Sequence, residues 1–315
     1  MKRILIILCA LLALAGCSKQ WNDLVPPNEA KGENVKPDDP KDDPKEDPKD
    51  DPKEDPQDNP QDPQDDPQDD PPAPKEGPQL YNMNFDLWSK GGKKEDCCYG
   101  EDATDAEKAV WGSANGTTQA LGYPTVGPED TFLAVTGEGK RALKLQTQGM
   151  SLLFGAIKKM AAGSIFNGYT GDIDIMKMSA KIFWGIPFSD RPVSLEGYAC
   201  YKPGSIDWTQ DPYKSHEGQL DNGHIFVILS DWEQPFEVSP PDKLFSPDDP
   251  AVIGYGKVVF DKKMDAYETF KVDIEYKSER TPKYLAIVAS SSALGDYFTG
   301  SGSSVLYLDE LKFNY

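Results

Sequence analysis

The sequence predicts an all-β domain, a jelly-roll β-sandwich, from three observations: apolar residues recur with period two, glycine and proline punctuate the chain, and helical periodicity is scarce. Phe270, Val272, Ile274 and Tyr276 alternate with Lys271, Asp273, Glu275 and Lys277, which is the pattern of a strand with one wet face. Ile225 to Leu229 and Leu285 to Ala289 are apolar throughout, so both faces of each are expected to be covered. In chain order, further strands are expected at Ala142 to Thr147, Ser179 to Trp184, Leu195 to Tyr201, Lys257 to Phe260 and Val305 to Phe313. Gly137 to Gly139, Pro203-Gly204, Pro240-Pro241 and Gly300 to Gly302 supply turns between them. One short helix is expected over Asp105 to Ser113, with Asp105 as its cap and Ala106, Ala109 and Val110 on one face.

The domain occupies residues 79–315. Ahead of it, residues 1–16 read as a cleaved signal peptide: Lys2 and Arg3 are basic, Ile4 to Leu14 is apolar, and Ala15 and Gly16 are small. Leu14-Ala15-Gly16-Cys17 resembles the lipobox of a bacterial lipoprotein, which predicts acylation of Cys17 with palmitate-type chains. The apolar run is shorter than the ~20 residues of a membrane-spanning helix. Ser18 stands where aspartate would signal inner-membrane retention, so the expected location is the outer membrane, lipid-anchored and facing the cell surface. Residues 17–78 then form a linker. Between Pro37 and Gly77 lie 17 acids and 5 lysines, 12 of the chain's 20 net negative charges. Proline about every fourth residue and almost nothing apolar to bury predict a disordered tether, whose polyproline II reach is on the order of 100 Å.

The segments Ile287 to Ser292, Gly295 to Gly300 and Leu306 to Leu311 resemble the putative carbohydrate metabolism domain family of Bacteroidetes lipoproteins. Asn84 to Trp88, Ala161 to Phe166, Gly185 to Phe188, Arg191-Pro192 and Gly197 to Gly204 agree with it in order. The resemblance implies a jelly roll related to carbohydrate-binding modules, and hence a poly- or oligosaccharide partner. It also likens Phe85-Asp86 and Asp309-Glu310 to paired strand ends that share a structural calcium through carboxylate oxygens, with Asp86 and Asp309 as ligands. Solvated or backbone-bonded carboxylates are the alternative at both places.

Trp184, Tyr198, Tyr201, Trp208 and Trp232 are the expected sugar platforms, because a flat ring covers the C–H face of a pyranose. Trp208 and Trp232, beside Asp207 and Asp231, sit in the more polar settings, and Tyr198 and Tyr201 belong to opposite strand faces. Cleavage would need two carboxylates across a cleft. Asp172 with Asp174, and Glu217 with Asp221, are spaced to supply such pairs, and His216 and His224 bracket the second pair with ligand types suited to a transition metal. Cys97, Cys98 and Cys200 allow one bridge to Cys200 or three reduced thiols. No phosphate loop, GxSxG elbow or basic aromatic patch is present, which excludes nucleotide, esterase and nucleic-acid readings. The expected function is therefore glycan binding without catalysis. A glycan-cleaving hydrolase or lyase on the same fold, and an adhesin or surface-assembly protein, are the alternatives.

Overall fold

A computed structural model describes residues 76–92, 94–174, 179–240 and 242–315. Cys17 and residues 37–75 of the acidic segment lie outside them.

Strands dominate the described chain. They are β1 (Ser89–Lys90), β2 (Asp96–Cys97), β3 (Gly112–Ser113), β4 (Val126–Glu129), β5 (Ala142–Gln146), β6 (Gln148–Leu152), β7 (Ile157–Ala161), β8 (Ser164–Phe166), β9 (Gly168–Asp174) and β10 (Ser179–Trp184). The second half adds β11 (Ile186–Pro187), β12 (Ser194–Lys202), β13 (Gly223–Ser230), β14 (Phe236–Val238), β15 (Val252–Phe260), β16 (Glu268–Asp273), β17 (Glu275–Tyr276), β18 (Tyr284–Ser290) and β19 (Val305–Asn314). A seven-stranded sheet runs β17-β15-β13-β18-β8-β3, with β11 also on β18, and a five-stranded sheet runs β16-β12-β19-β5-β4. These two antiparallel sheets form the sandwich that the alternating pattern predicts.

Residues of alternate parity explain why β13 and β18 read as continuous apolar runs. Ile225, Val227, Leu229, Leu285, Ile287 and Ala289 face the main core, where they meet Leu143, Leu145, Leu195, Leu306, Leu308 and Phe313 of the five-stranded sheet. Phe226, Ile228, Ala286 and Val288 face the other way, into a second core. A three-stranded sheet, β14-β10-β9, covers that outer face. Each large side chain so buried contributes ~1.5–3 kcal/mol, which is what fixes the register of both central strands.

The short helix is Asp105–Lys108, and its cap is Thr104 rather than Asp105. Thr104 takes the Glu107 amide on its hydroxyl while the Glu107 carboxylate reaches back to the Thr104 amide, a capping box that ends the advantage of starting one residue later. The chain past Ser113 turns into a second single-turn helix, Asn115–Thr118.

All three cysteines are free thiols. Cys98 lies under the Asn82 side chain, 3.3 Å from its Nδ2, whereas the Cys200 thiol on β12 faces the Met264 carbonyl at 3.5 Å. The bridge to Cys200 is therefore not formed, and burial pushes the Cys98 thiol far above its ordinary pKa.

Candidate functional site

An open groove of about 810 Å³ crosses the five-stranded sheet and the segment from Gln79 to Asn84. Its shape begins with a bulge. The register of β12 on β19 shifts between Glu196 and Tyr198, and Glu310 opposite adopts φ +48°, a left-handed conformation that non-glycine residues rarely take. Gly197 gives the bulge room, because a Cβ would lie 2.7 Å from Leu311 Cδ2 and 3.1 Å from the Asp309 carbonyl oxygen, and both would have to shift. Asn82 (φ 54°) and Phe85 (φ 57°) hold the same strained conformation in the adjoining segment, so three such residues gather around one surface.

Strand pairing then lays polar side chains in rows across the groove. Glu196 pairs in register with Lys271 on one side and Lys312 on the other, and Tyr198 pairs with Thr269 and Asp309. Directly opposed residues of an antiparallel pair share a face, so the half-buried Tyr198 ring lies beside Thr269 and one step along β12 from the row Lys271–Glu196–Lys312, while its other partner, Asp309, is buried. Asn84 and Glu310 add further polar groups to the lining.

The ends likened to a calcium site do come together, with a different cation between them. The Lys140 ammonium lies 2.9 Å from Asp86 Oδ2 and 2.7 Å from Glu310 Oε1, and both partners hold its pKa well above the ordinary lysine value. Asp86 also takes the Arg141 amide at 2.9 Å and the Asn84 side-chain amide at 2.6 Å. Asp309 is elsewhere engaged: its Oδ2 takes the amides of Ala134 and Val135, and burial raises its pKa to about 6. A hard divalent cation needs about six to eight oxygen ligands. With an ammonium and four N–H donors already on these carboxylates, the residues present do not fit calcium, and no metal-binding group of three or more His, Cys, Asp and Glu occurs among the described residues.

The expected platforms fall in three places. Trp184 (4% exposed) and Trp232 (7%) are packed with Phe226, Phe236 and Phe245 in the second core, and Tyr201 is fully buried in the main core with its hydroxyl on the Ser291 carbonyl. Rings so enclosed offer no face to a sugar: the three-stranded sheet turns the outer face of β13 into core around Trp184 and Trp232, and Tyr201 points inward between the two large sheets. Trp208 is half-buried outside the groove. Its ring rests on Gly149, where a Cβ would lie 2.7 Å from the indole, and its backbone pairs with Gly300. Tyr198 is the one member of the expected set that lines the groove.

The acid and metal pairs separate likewise. Asp221 is buried and its Oδ2 accepts the hydroxyls of Ser292 (2.6 Å) and Ser304 (2.9 Å) and the Ser301 amide (2.8 Å), while Glu217 is exposed. His224 is buried on β13, where burial lowers its pKa to about 3, whereas His216 lies in a surface turn against Tyr213. The side chains of Asp172 and Asp174 lie outside the described residues. The groove's own carboxylates, Glu196 and Glu310, went unnoticed as a pair because they are 114 positions apart and only strand order brings them to one surface. The spacing of two that sets Glu196 with Tyr198, and Thr269 with Lys271, on one strand face is the signal the sequence carries.

No curated protein matches this chain. Among solved structures, a protein described as a putative glycoside hydrolase from Bacteroides thetaiotaomicron is similar at 23% identity, with 76% of this chain and 72% of that chain covered and a TM-score of 0.54. A second so described, from Bacteroides vulgatus, is 19% identical over 67% of this chain and 88% of its own, with a TM-score of 0.49. The first likeness supports the fold. A family model matches residues 84–314, nearly the whole described domain, and the chain belongs to the putative carbohydrate metabolism domain family.

Proposed function

We propose that the groove across β12, β16 and β19 binds a poly- or oligosaccharide without cleaving it. The observation that carries this reading is the Tyr198 ring beside Thr269 and the row Lys271–Glu196–Lys312 in an open groove of about 810 Å³. An aromatic face takes sugar C–H groups, and alternating donors and acceptors take hydroxyls. Glu310, one of the two groove carboxylates, is committed to Lys140, which supports binding over proton transfer. The cleaving alternative keeps one observation in its favour, namely that Glu196 and Glu310 line the same groove.

A glycan array probed with the purified chain tests the reading. Tyr198→Ala is expected to weaken binding of any hit by about tenfold with the melting temperature held, the loss of one aromatic platform. Unchanged affinity in that variant would place binding elsewhere. Release of new reducing ends from the hit, abolished by Glu196→Gln, would favour cleavage.

We further place this domain on the outer membrane through acylated Cys17, on the strength of Leu14-Ala15-Gly16-Cys17 and of Ser18. Cells fed labelled palmitate are expected to label the chain, and Cys17→Ser to remove the label and release the protein from membranes. Labelling that survives this substitution contradicts the anchor.

A further inference from the structure

A second cavity, of about 160 Å³, opens among the β6–β7 hairpin, β8, β10 and the turn Gly295–Tyr297. Met150, Met160, Phe166, Ile182 and Phe298 give it an apolar wall, and among its lining residues only Asp296 carries a charge. No hydrogen bond or ion pair satisfies that carboxyl among the described residues. Asp296 is half-buried, and its partial removal from water raises its pKa to about 6, so at neutral pH it is largely an anion without a protein partner at the edge of the hydrocarbon. The Lys159 ammonium sits 4.4 Å from the centre of the Phe298 ring and forms no ion pair with Asp296 among the described residues. Phe298 itself has φ +50°, a conformation costly for a bulky residue and retained where surrounding structure imposes it.

Three properties of this cavity define an occupant. Its volume is close to that of an engineered apolar cavity of about 150 Å³ that takes one benzene. Its mainly apolar wall disfavours a strongly hydrated guest, and its single anion has no counter-charge among the described residues. We propose that the cleft binds a small primary amine with an apolar body about the size of one aromatic ring, its ammonium on Asp296 and its hydrocarbon against Met150, Met160, Phe166 and Ile182. None of these residues lines the groove assigned above to glycan, so the two readings stand or fall separately.

Titration of the purified chain with benzylamine, benzyl alcohol and benzoate, three probes of similar shape and different charge, tests the proposal. Benzylamine is expected to bind about tenfold or more tightly than benzyl alcohol, with benzoate weakest, as a charge-assisted contact requires. Asp296→Asn should reduce the amine-to-alcohol ratio to below about threefold. Equal affinities for amine and alcohol, a preference that survives Asp296→Asn, or no binding of benzylamine would each overturn it. Should that variant fail to fold, the methyl signals of Met150 and Met160 decide in the unmodified chain: they are expected to shift with benzylamine at concentrations where benzoate leaves them unchanged, and an equal response to both would overturn the assignment.

Discussion

Asp221→Ala is expected to destabilise the domain by roughly 3 kcal/mol or more, measured by denaturant unfolding, because it strips a buried acceptor from three donors at once. One oxygen, Asp221 Oδ2, serves Ser292 Oγ, Ser304 Oγ and the Ser301 amide. Ser292 in turn meets Thr147 Oγ1 at 2.7 Å, and Ser304 Oγ accepts the Gly204 amide at 3.0 Å. The hub thus ties the end of β5 and the end of β18 to the loops that seat Trp208. Asp221→Asn can keep its carbonyl oxygen in the Oδ2 position and loses only the Asn222 amide, so a loss of about 1 kcal/mol is expected. A pH series adds a signed check. Burial raises the Asp221 pKa above the ordinary carboxylate value, so the folded state takes up this proton before the unfolded chain does. The penalty for its buried charge is fully present above the folded pKa and is relieved as pH falls toward the unfolded value. The unmodified protein should therefore gain stability relative to Asp221→Asn on acidification from neutrality to about pH 4. An Asp221→Ala protein as stable as the parent would show that these donors find other acceptors.

Gly168→Ala is expected to cost a comparable amount, on the order of 3–5 kcal/mol, from backbone strain and overpacking together. Gly168 holds φ +132°, and a Cβ there would lie 1.9 Å from the Phe183 carbonyl oxygen, a backbone atom that cannot swing aside. Since Gly168 pairs with Trp184 in register, the damage falls on the three-stranded sheet and the second core beneath it. Tryptophan emission should shift to the red as Trp184 and Trp232 meet water, and near-ultraviolet dichroism should fall. A variant with parental emission and melting temperature would mean that β9 can retreat without disturbing that core.

The layer that Gly168 helps to build is also where the sequence misled. Period two and continuous apolar runs located β12, β13, β18 and β19 within a residue or two, because core burial imposes those patterns. The β6–β7 hairpin and β9 escaped, since Gly149, Ser151, Gly168 and Gly171 interrupt any apolar alternation even though each strand pairs with a neighbour close in sequence. Trp232 read as loop-exposed because Asp231 precedes it. In the structure Asp231 turns outward to Arg280 while the indole turns into the second core, a choice made one residue apart. The resemblance pairs Phe85-Asp86 with Asp309-Glu310, and these ends do meet, though through Glu310 rather than the expected Asp309. It could not indicate Lys140 as the cation between them, because that residue stands 54 positions from one partner and 170 from the other.

Those meeting ends also bring the first and last described residues of the domain together. Gln79 exchanges side-chain hydrogen bonds with the backbone of Phe313 in both directions, and the Tyr315 hydroxyl reaches the Pro78 carbonyl at 2.6 Å. Entry and exit of the chain thus share one pole, beside the segment that borders the groove. Any tag or fusion carried after Tyr315 therefore crowds the same end of the domain as the chain arriving at Pro78. A circular permutant that joins Tyr315 to Gln79 and opens at the surface turn Asp248–Asp249 would move both new termini away from the groove's border while leaving every strand of the two main sheets unbroken.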